Sequence, residues 1–172
     1  NALMDLVSLG NILKETIIDK DGRKQFVLGG PAAYSTVCVA CLGGEAGIVT
    51  RVGDDMPADF LQVFADAGVD QGGLDRTSPA TTTNVLGYDD QGRKRILRYD
   101  AVAPPINLGQ IPDTFFSSKI FYVCGSNFDA GFEVVEKLAS RGGLMACDLT
   151  GLGGTGRPVN GSSLFLTDGE PF

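Results

Sequence analysis

The chain has 172 residues, 43% of them hydrophobic, with 14 Lys and Arg against 21 Asp and Glu, a formal charge of −7, and no His or Trp. A negative net charge disfavours general binding to nucleic acid or to acidic membrane surfaces. The absence of histidine removes Ser-His-Asp and Cys-His nucleophile chemistry and every His-containing metal site.

In chain order, Leu6 to Leu9 (L-V-S-L) is an apolar run ending at Gly10 and reads as a buried strand. Residues 14–28 read as two β-rich arms around D-K-D-G-R-K (19–24), where Asp21-Gly22 is a hairpin signal. Gly29-Gly30-Pro31 opens a helix with Pro at a first helical position, and the apolar stretch stops at Gly43-Gly44. Ala46 to Val52 is the next buried strand. Pro57 to Ala67 is a helix with Phe60, Leu61 and Phe64 on one face, closed by Gly68. Residues 81–99 repeat the hairpin pattern around D-D-Q-G-R-K (89–94). Lys119 to Cys124 reads as a strand, and Phe132 to Ser140 as a helix with Phe132, Val135 and Leu138 at helical spacing. Leu144 to Leu149 and Leu164 to Thr167 complete the strands.

Strands alternating with helices predict an α/β fold, a doubly wound parallel sheet with helices on both faces. Two antiparallel hairpins do not easily join such a sheet. They are expected to pair with each other into a small lid over the carboxyl ends of the strands, where ligands bind in open α/β folds. The alternative is two unrelated surface hairpins.

Cys38, Cys41, Cys124 and Cys147 lie among apolar residues, and the C-x-x-C pair falls inside V-C-V-A-C-L (37–42) rather than at a helix start. That placement predicts buried, reduced core thiols instead of a redox pair, and no second C-x-x-C completes a zinc site. G-L-G-G-T-G (151–156) fits G-x-G-x-x-G, yet the following R-P-V-N-G-S-S holds no amphipathic helix. A surface loop is expected there, and an NAD(P)-binding Rossmann enzyme is the remotest of the functional readings. No apolar run approaches the roughly 18 residues of a membrane span, and no signal peptide precedes Met4, so a soluble cytoplasmic protein is expected.

The order of these parts resembles the ribokinase-like (PfkB) family of carbohydrate and nucleoside kinases. Gly10 and Glu15 have the spacing of that family's first strand and its acidic residue. Gly29-Gly30 and Leu42-Gly43 match the helix that starts with Gly-Gly and closes with Leu-Gly. Val52-Gly53-Asp54-Asp55 matches its V-G-x-D segment, and A-D-A-G-V-D (65–70) precedes the second hairpin. The resemblance spans nearly the whole chain. It implies a ribokinase-like fold with a β-hairpin lid, and transfer of a phosphoryl group from ATP, with Mg2+, to a hydroxyl of a small sugar, polyol or cyclitol, or nucleoside.

By that resemblance Glu15, Gly29, Gly30 and Tyr34 bind the acceptor. Two of these depart from the family: Glu15 stands where Asp is usual, and Tyr34 where Asn is usual. An aromatic at Tyr34 can stack on a ring face and donate its hydroxyl. Asp148 and Arg157, after a strand end, are candidates for the phosphate vicinity or for a surface salt bridge, and a further phosphate candidate is Asp168. The latter occupies the Asn position of the family's N-x-x-E element within T-D-G-E-P-F (167–172), where Pro171 replaces the Glu. Asp168 is also a candidate for organising the metal.

The family's Gly-Ala-Gly-Asp anion hole, with its catalytic Asp, does not occur in these 172 residues. Residues 1–172 are therefore expected to be the N-terminal portion of a single ribokinase-like domain, with the base beyond Phe172 and the nucleotide-binding portion absent. The alternative is a catalytically silent binding or assembly module. In either case a homodimer through the lid sheet is possible, since exposed sheet edges readily pair.

Overall fold

Side-chain alternation decides the central sheet. Strand β1 (Leu6–Leu9) is buried along its whole length. Val7 and Leu9 enter one hydrophobic cluster, while Ser8 between them meets Ser35 on the opposite face, Oγ to Oγ 2.8 Å. The computed structural model describes residues 3–124 and 129–148, and the backbone of Pro158–Val159 and Ser162–Ser163.

After β1 come β2 (Leu13–Ile18), β3 (Lys24–Gly29), α1 (Pro31–Cys41), β4 (Ala46–Arg51), α2 (Ala58–Ala67) and β5 (Asp70–Asp75). They are followed by β6 (Thr83–Tyr88), β7 (Lys94–Ala101), two 3-10 turns (Leu108–Gln110 and Asp113–Ser117), β8 (Ile120–Cys124), α3 (Phe132–Ala139) and β9 (Leu144–Asp148). Five strands form one parallel sheet in the order β5-β4-β1-β8-β9. The chain winds outward from β1 through β4 to β5, then crosses back to β8 and β9. β1 thus lies where the winding reverses, and the crevice of such a sheet opens at the carboxyl end of that strand.

Both faces are covered. Ile12, Ile48, Val52 and Cys124 pack with Ala32 and Ala33 of α1 and Leu61 and Phe64 of α2. On the other face Val7, Leu9, Val49 and Phe121 pack with Phe115 and with Val134 and Leu138 of α3. The second sheet has the order β3-β2-β6-β7, with the two hairpins joined through a parallel β2–β6 pair. The hairpins at 14–28 and 81–99 are therefore one lid. Their turns match in the bonds that backbone N–H groups make. The Asp19 carboxylate accepts from the backbone N–H of Asp21 and Arg23, and that of Asp89 from Gln91 and Arg93. Gly22 and Gly92 take φ of 79° and 73°, the left-handed residue that closes a three-residue loop.

Several expectations need correction. Strand β5, D-Q-G-G-L-D, carries no alternating pattern and is fixed by its partner: a Cβ on Gly73 would fall 2.7 Å from the Ile48 carbonyl oxygen of β4. In α3 the buried residues are Val134 and Leu138, and Phe132 is 85% exposed. Steps of three drift about 60° each around a helix, so Phe132 and Leu138 cannot share a face. Among the cysteines only Cys124 is buried; Cys38, Cys41 and Cys147 are exposed free thiols. Helix α1 turns Ala32, Ala33 and Thr36 inward, which carries Cys38 and Cys41 outward. The expected strand Leu164 to Thr167 and the glycine-rich run 151–156 lie outside the described residues.

Candidate functional site

The lid meets the central sheet at Gly29-Gly30, and the two glycines are required for different reasons. A Cβ on Gly29 would fall 2.2 Å from the carboxyl of Glu15, whose side chain lies across that position. Gly30 caps α1 at φ 104°, a conformation that side chains resist, and a Cβ there would also meet Leu13 at 2.8 Å.

Glu15 sits on β2 in register with Asn84 on β6. Both are buried, Glu15 to 9% exposure and Asn84 to 2%. Asn84 Nδ2 donates to Glu15 Oε1 at 3.1 Å. A carboxylate only accepts, so this bond fixes which way the amide points. The amide oxygen of Asn84 is left buried with no hydrogen-bond partner among the described residues. An unmet buried acceptor costs about 1–3 kcal/mol. Glu15 has no cationic partner in the ion pairs of the described residues.

Tyr34, in the first turn of α1, is 60% exposed, and its hydroxyl donates to the Leu28 carbonyl at 3.1 Å. That proton is already used, so the ring face and the hydroxyl lone pairs remain for a ligand. Burial pushes the phenol above its usual acidity range, and Glu15 and Tyr88 add to the shift.

The V-G-D-D segment holds the lid down. Asp55 bonds Lys14 Nζ of β2 at 2.5 Å and accepts from the Thr81 N–H, just before β6, at 2.8 Å. Gly53 N–H donates to Thr81 Oγ1 at 3.0 Å. Phe26 of β3 stacks on Phe60 of α2 with centroids 5.3 Å apart. Burial raises the Asp55 carboxyl, but Lys14 and Thr81 outweigh it and hold the group below the usual carboxylate range. Beneath, the Asp129 carboxylate, 1% exposed, accepts from the Asn11 backbone N–H and side-chain amide at 3.1 and 3.3 Å, while Asn11 Oδ1 accepts from the Arg51 N–H. This bond set ties together the carboxyl ends of β1 and β4.

Glu15, Gly29, Gly30 and Tyr34 are thus brought together. Asp148 stands apart, at the end of β9 opposite Cys124 of β8, with β8 between it and β1. Arg157 and Asp168 lie outside the described residues. Sequence reading missed Asn84, since an Asn within T-T-T-N-V-L carries no signal until β6 is registered against β2. Among the described residues no group of three or more metal-ligating side chains gathers, and no helix is long and apolar enough to cross a membrane.

No protein-family model matches the chain. It is 29% identical over 122 residues to a cytidine kinase of Thermococcus kodakarensis, covering 70% of this chain and 43% of that protein. It is 27% identical over 150 residues to a fructokinase of Klebsiella pneumoniae, covering 81% and 48%. Among solved structures it resembles a Xylella fastidiosa fructokinase with bound ATP, at TM-score 0.68 and 26% identity, covering 86% of this chain and 52% of that one. A Thermotoga maritima ribokinase matches at TM-score 0.64 and 21% identity, covering 86% and 53%. The chain spans about half the length of these proteins. The fold is ribokinase-like, and these relatives support the kinase family that the motif order implied.

Proposed function

For a chain of the ribokinase-like (PfkB) carbohydrate and nucleoside kinases, we propose that the intact protein transfers the γ-phosphoryl group of ATP to a hydroxyl of a small sugar, cyclitol or nucleoside. Residues 1–172 are the acceptor-binding and lid portion of one ribokinase-like domain. The single observation that carries this reading is the Glu15 carboxylate. It is nearly buried, lacks a cation among the described residues, and lies across the bare Gly29 beside Asn84. A buried carboxylate in that state calls for hydrogen-bond donors, and a polyhydroxylated ligand supplies them.

In the reaction the acceptor hydroxyl oxygen bonds to the γ-phosphorus, the bond from that phosphorus to ADP breaks, and the hydroxyl proton passes to a base. Glu15, Gly29 and Gly30 hold and orient the acceptor, and the exposed ring of Tyr34 offers a stacking face. Orientation of this kind removes much of the entropic barrier of a bimolecular step. The lid excludes water that would otherwise take the phosphoryl group. No group of three or more metal-ligating side chains gathers among the described residues, and the base is assigned beyond Phe172. Asp148 remains a candidate on the phosphate side. The outer strands β3 and β7 are sheet edges, which supports pairing of two copies through the lid.

The test is an assay of ADP formation by the full-length gene product with ATP, Mg2+ and a panel of sugars, inositols and nucleosides. Phosphorylation of at least one acceptor is expected. Turnover of none would overturn the reading, and full turnover by residues 1–172 alone would overturn the division of labour.

A further inference from the structure

Resting on that reading of the site, we infer that Asn84 is a specificity-determining residue: with Glu15 it forms a two-acceptor seat for a vicinal diol of the acceptor molecule. The seat comes from strand register. Glu15 and Asn84 are partners on adjacent parallel strands, so their side chains emerge on one face of the lid, about 4.8 Å apart at the backbone. Their mutual hydrogen bond consumes Glu15 Oε1 and an N–H of Asn84. What the pair has left to offer is two acceptors, Asn84 Oδ1 and Glu15 Oε2, and the second N–H of the Asn84 amide. Asn84 Oδ1 is buried and unpartnered, and the hydrogen bonds of the described residues leave Glu15 Oε2 unused. Oε2 is the oxygen nearest Gly29, whose missing side chain leaves the room that the carboxyl occupies.

Two adjacent acceptors select for a ligand with two adjacent donors. Neighbouring hydroxyls satisfy this, one donating to each oxygen. A ligand carboxylate or keto oxygen at the same point places acceptor against acceptor and is rejected. Removal of one hydroxyl leaves one buried acceptor unmet again, so discrimination against a deoxy analogue is built in. An apolar residue at position 84 abolishes discrimination at the hydroxyl that meets Oδ1, because it needs no donor, while Glu15 still selects for the other hydroxyl.

The test is titration calorimetry on the full-length protein without ATP. The probes are cytidine, 2′-deoxycytidine, 3′-deoxycytidine, myo-inositol and a monodeoxy-inositol. Wild type, Asn84→Leu and Asn84→Ser are compared, with melting curves to show that each variant folds. The wild type is expected to prefer a diol over its deoxy partner by about 10- to 100-fold. In Asn84→Leu that ratio falls to near one for the deoxy analogue lacking the hydroxyl that faces position 84, mostly through weaker diol binding, and persists for the analogue lacking the hydroxyl that faces Glu15. In Asn84→Ser, which keeps an acceptor, part of the ratio survives. Diol-to-deoxy ratios unchanged in Asn84→Leu for every deoxy analogue overturn this inference while leaving the kinase reading intact. If no hydroxylated probe binds the wild type, the acceptor reading itself fails and this inference with it.

Discussion

The two sheets of this molecule are built on opposite terms. In the five-stranded sheet, strand faces carry residues such as Val7, Leu9, Ile48, Val49 and Phe121, at 0–1% exposure, with helices or turns packed over both sides. The lid sheet contributes only scattered buried positions such as Leu13, Val85 and Leu86, and exposes Phe26, Tyr88 and Leu97 at 55%, 38% and 54%. Its attachment runs through a few polar contacts, chiefly Asp55 to Lys14 and Thr81, and the Phe26–Phe60 stack. A sheet that carries little core of its own opens at lower free energy than the one beneath it. That difference suits a cover that must admit and release a ligand.

The largest expected effect tests the contrast directly. Phe121→Ala in the central sheet should lower unfolding free energy by about 3–5 kcal/mol in urea titration, whereas Leu97→Ala in the lid should change it by no more than about 0.5 kcal/mol. Comparable losses at the two positions would dissolve the distinction. Next in size, Gly29→Ala pushes a methyl group into the Glu15 carboxyl. It should cost about 1–3 kcal/mol of stability as an overpacked contact, and acceptor affinity in calorimetry should fall more than tenfold. Retained affinity would show that the carboxylate can move away at no cost to binding.

Smaller effects sharpen the attachment of the lid. Asp55→Asn should speed amide hydrogen exchange in β2 and β6 severalfold, equivalent to about 0.2–1 kcal/mol for a partly exposed ion pair, and leave β1 unchanged. The same carboxylate gives a pH dependence of known sign. Its folded-state value lies below the ordinary 3.8, so its stabilising contribution is complete above that ordinary value. It is lost as pH falls through the lower folded value. Acid should therefore loosen β2 and β6 in the wild type, with a smaller change in Asp55→Asn. The smallest effect is chemical. Cys38, Cys41 and Cys147 should react with a thiol reagent in the native protein. Cys124, buried and with its thiol pKa pushed up by desolvation, should react only on unfolding.

Legibility in the sequence followed the range of each signal. The twin turns were readable because an Asp accepting from N–H groups two and four residues on, with a left-handed Gly, is complete within five residues. The buried strands β1, β4 and β8 were readable as apolar runs. Strand β5 was not, because D-Q-G-G-L-D owes its conformation to the backbone of β4. Cysteine burial was misjudged for a related reason: an apolar segment does not say which of its faces a helix turns inward.

Local chemistry along the chain was thus enough to determine the alternation of elements, the paired hairpins and the Gly29-Gly30 junction, since turns, caps and periodicity act over a few residues. Only the tertiary structure decided that Glu15 meets Asn84, 69 residues away, and that the amide oxygen of Asn84 is left without a donor. The register between two strands is set by the packing of the whole sheet, and a shift of one residue would have turned Asn84 to the other face.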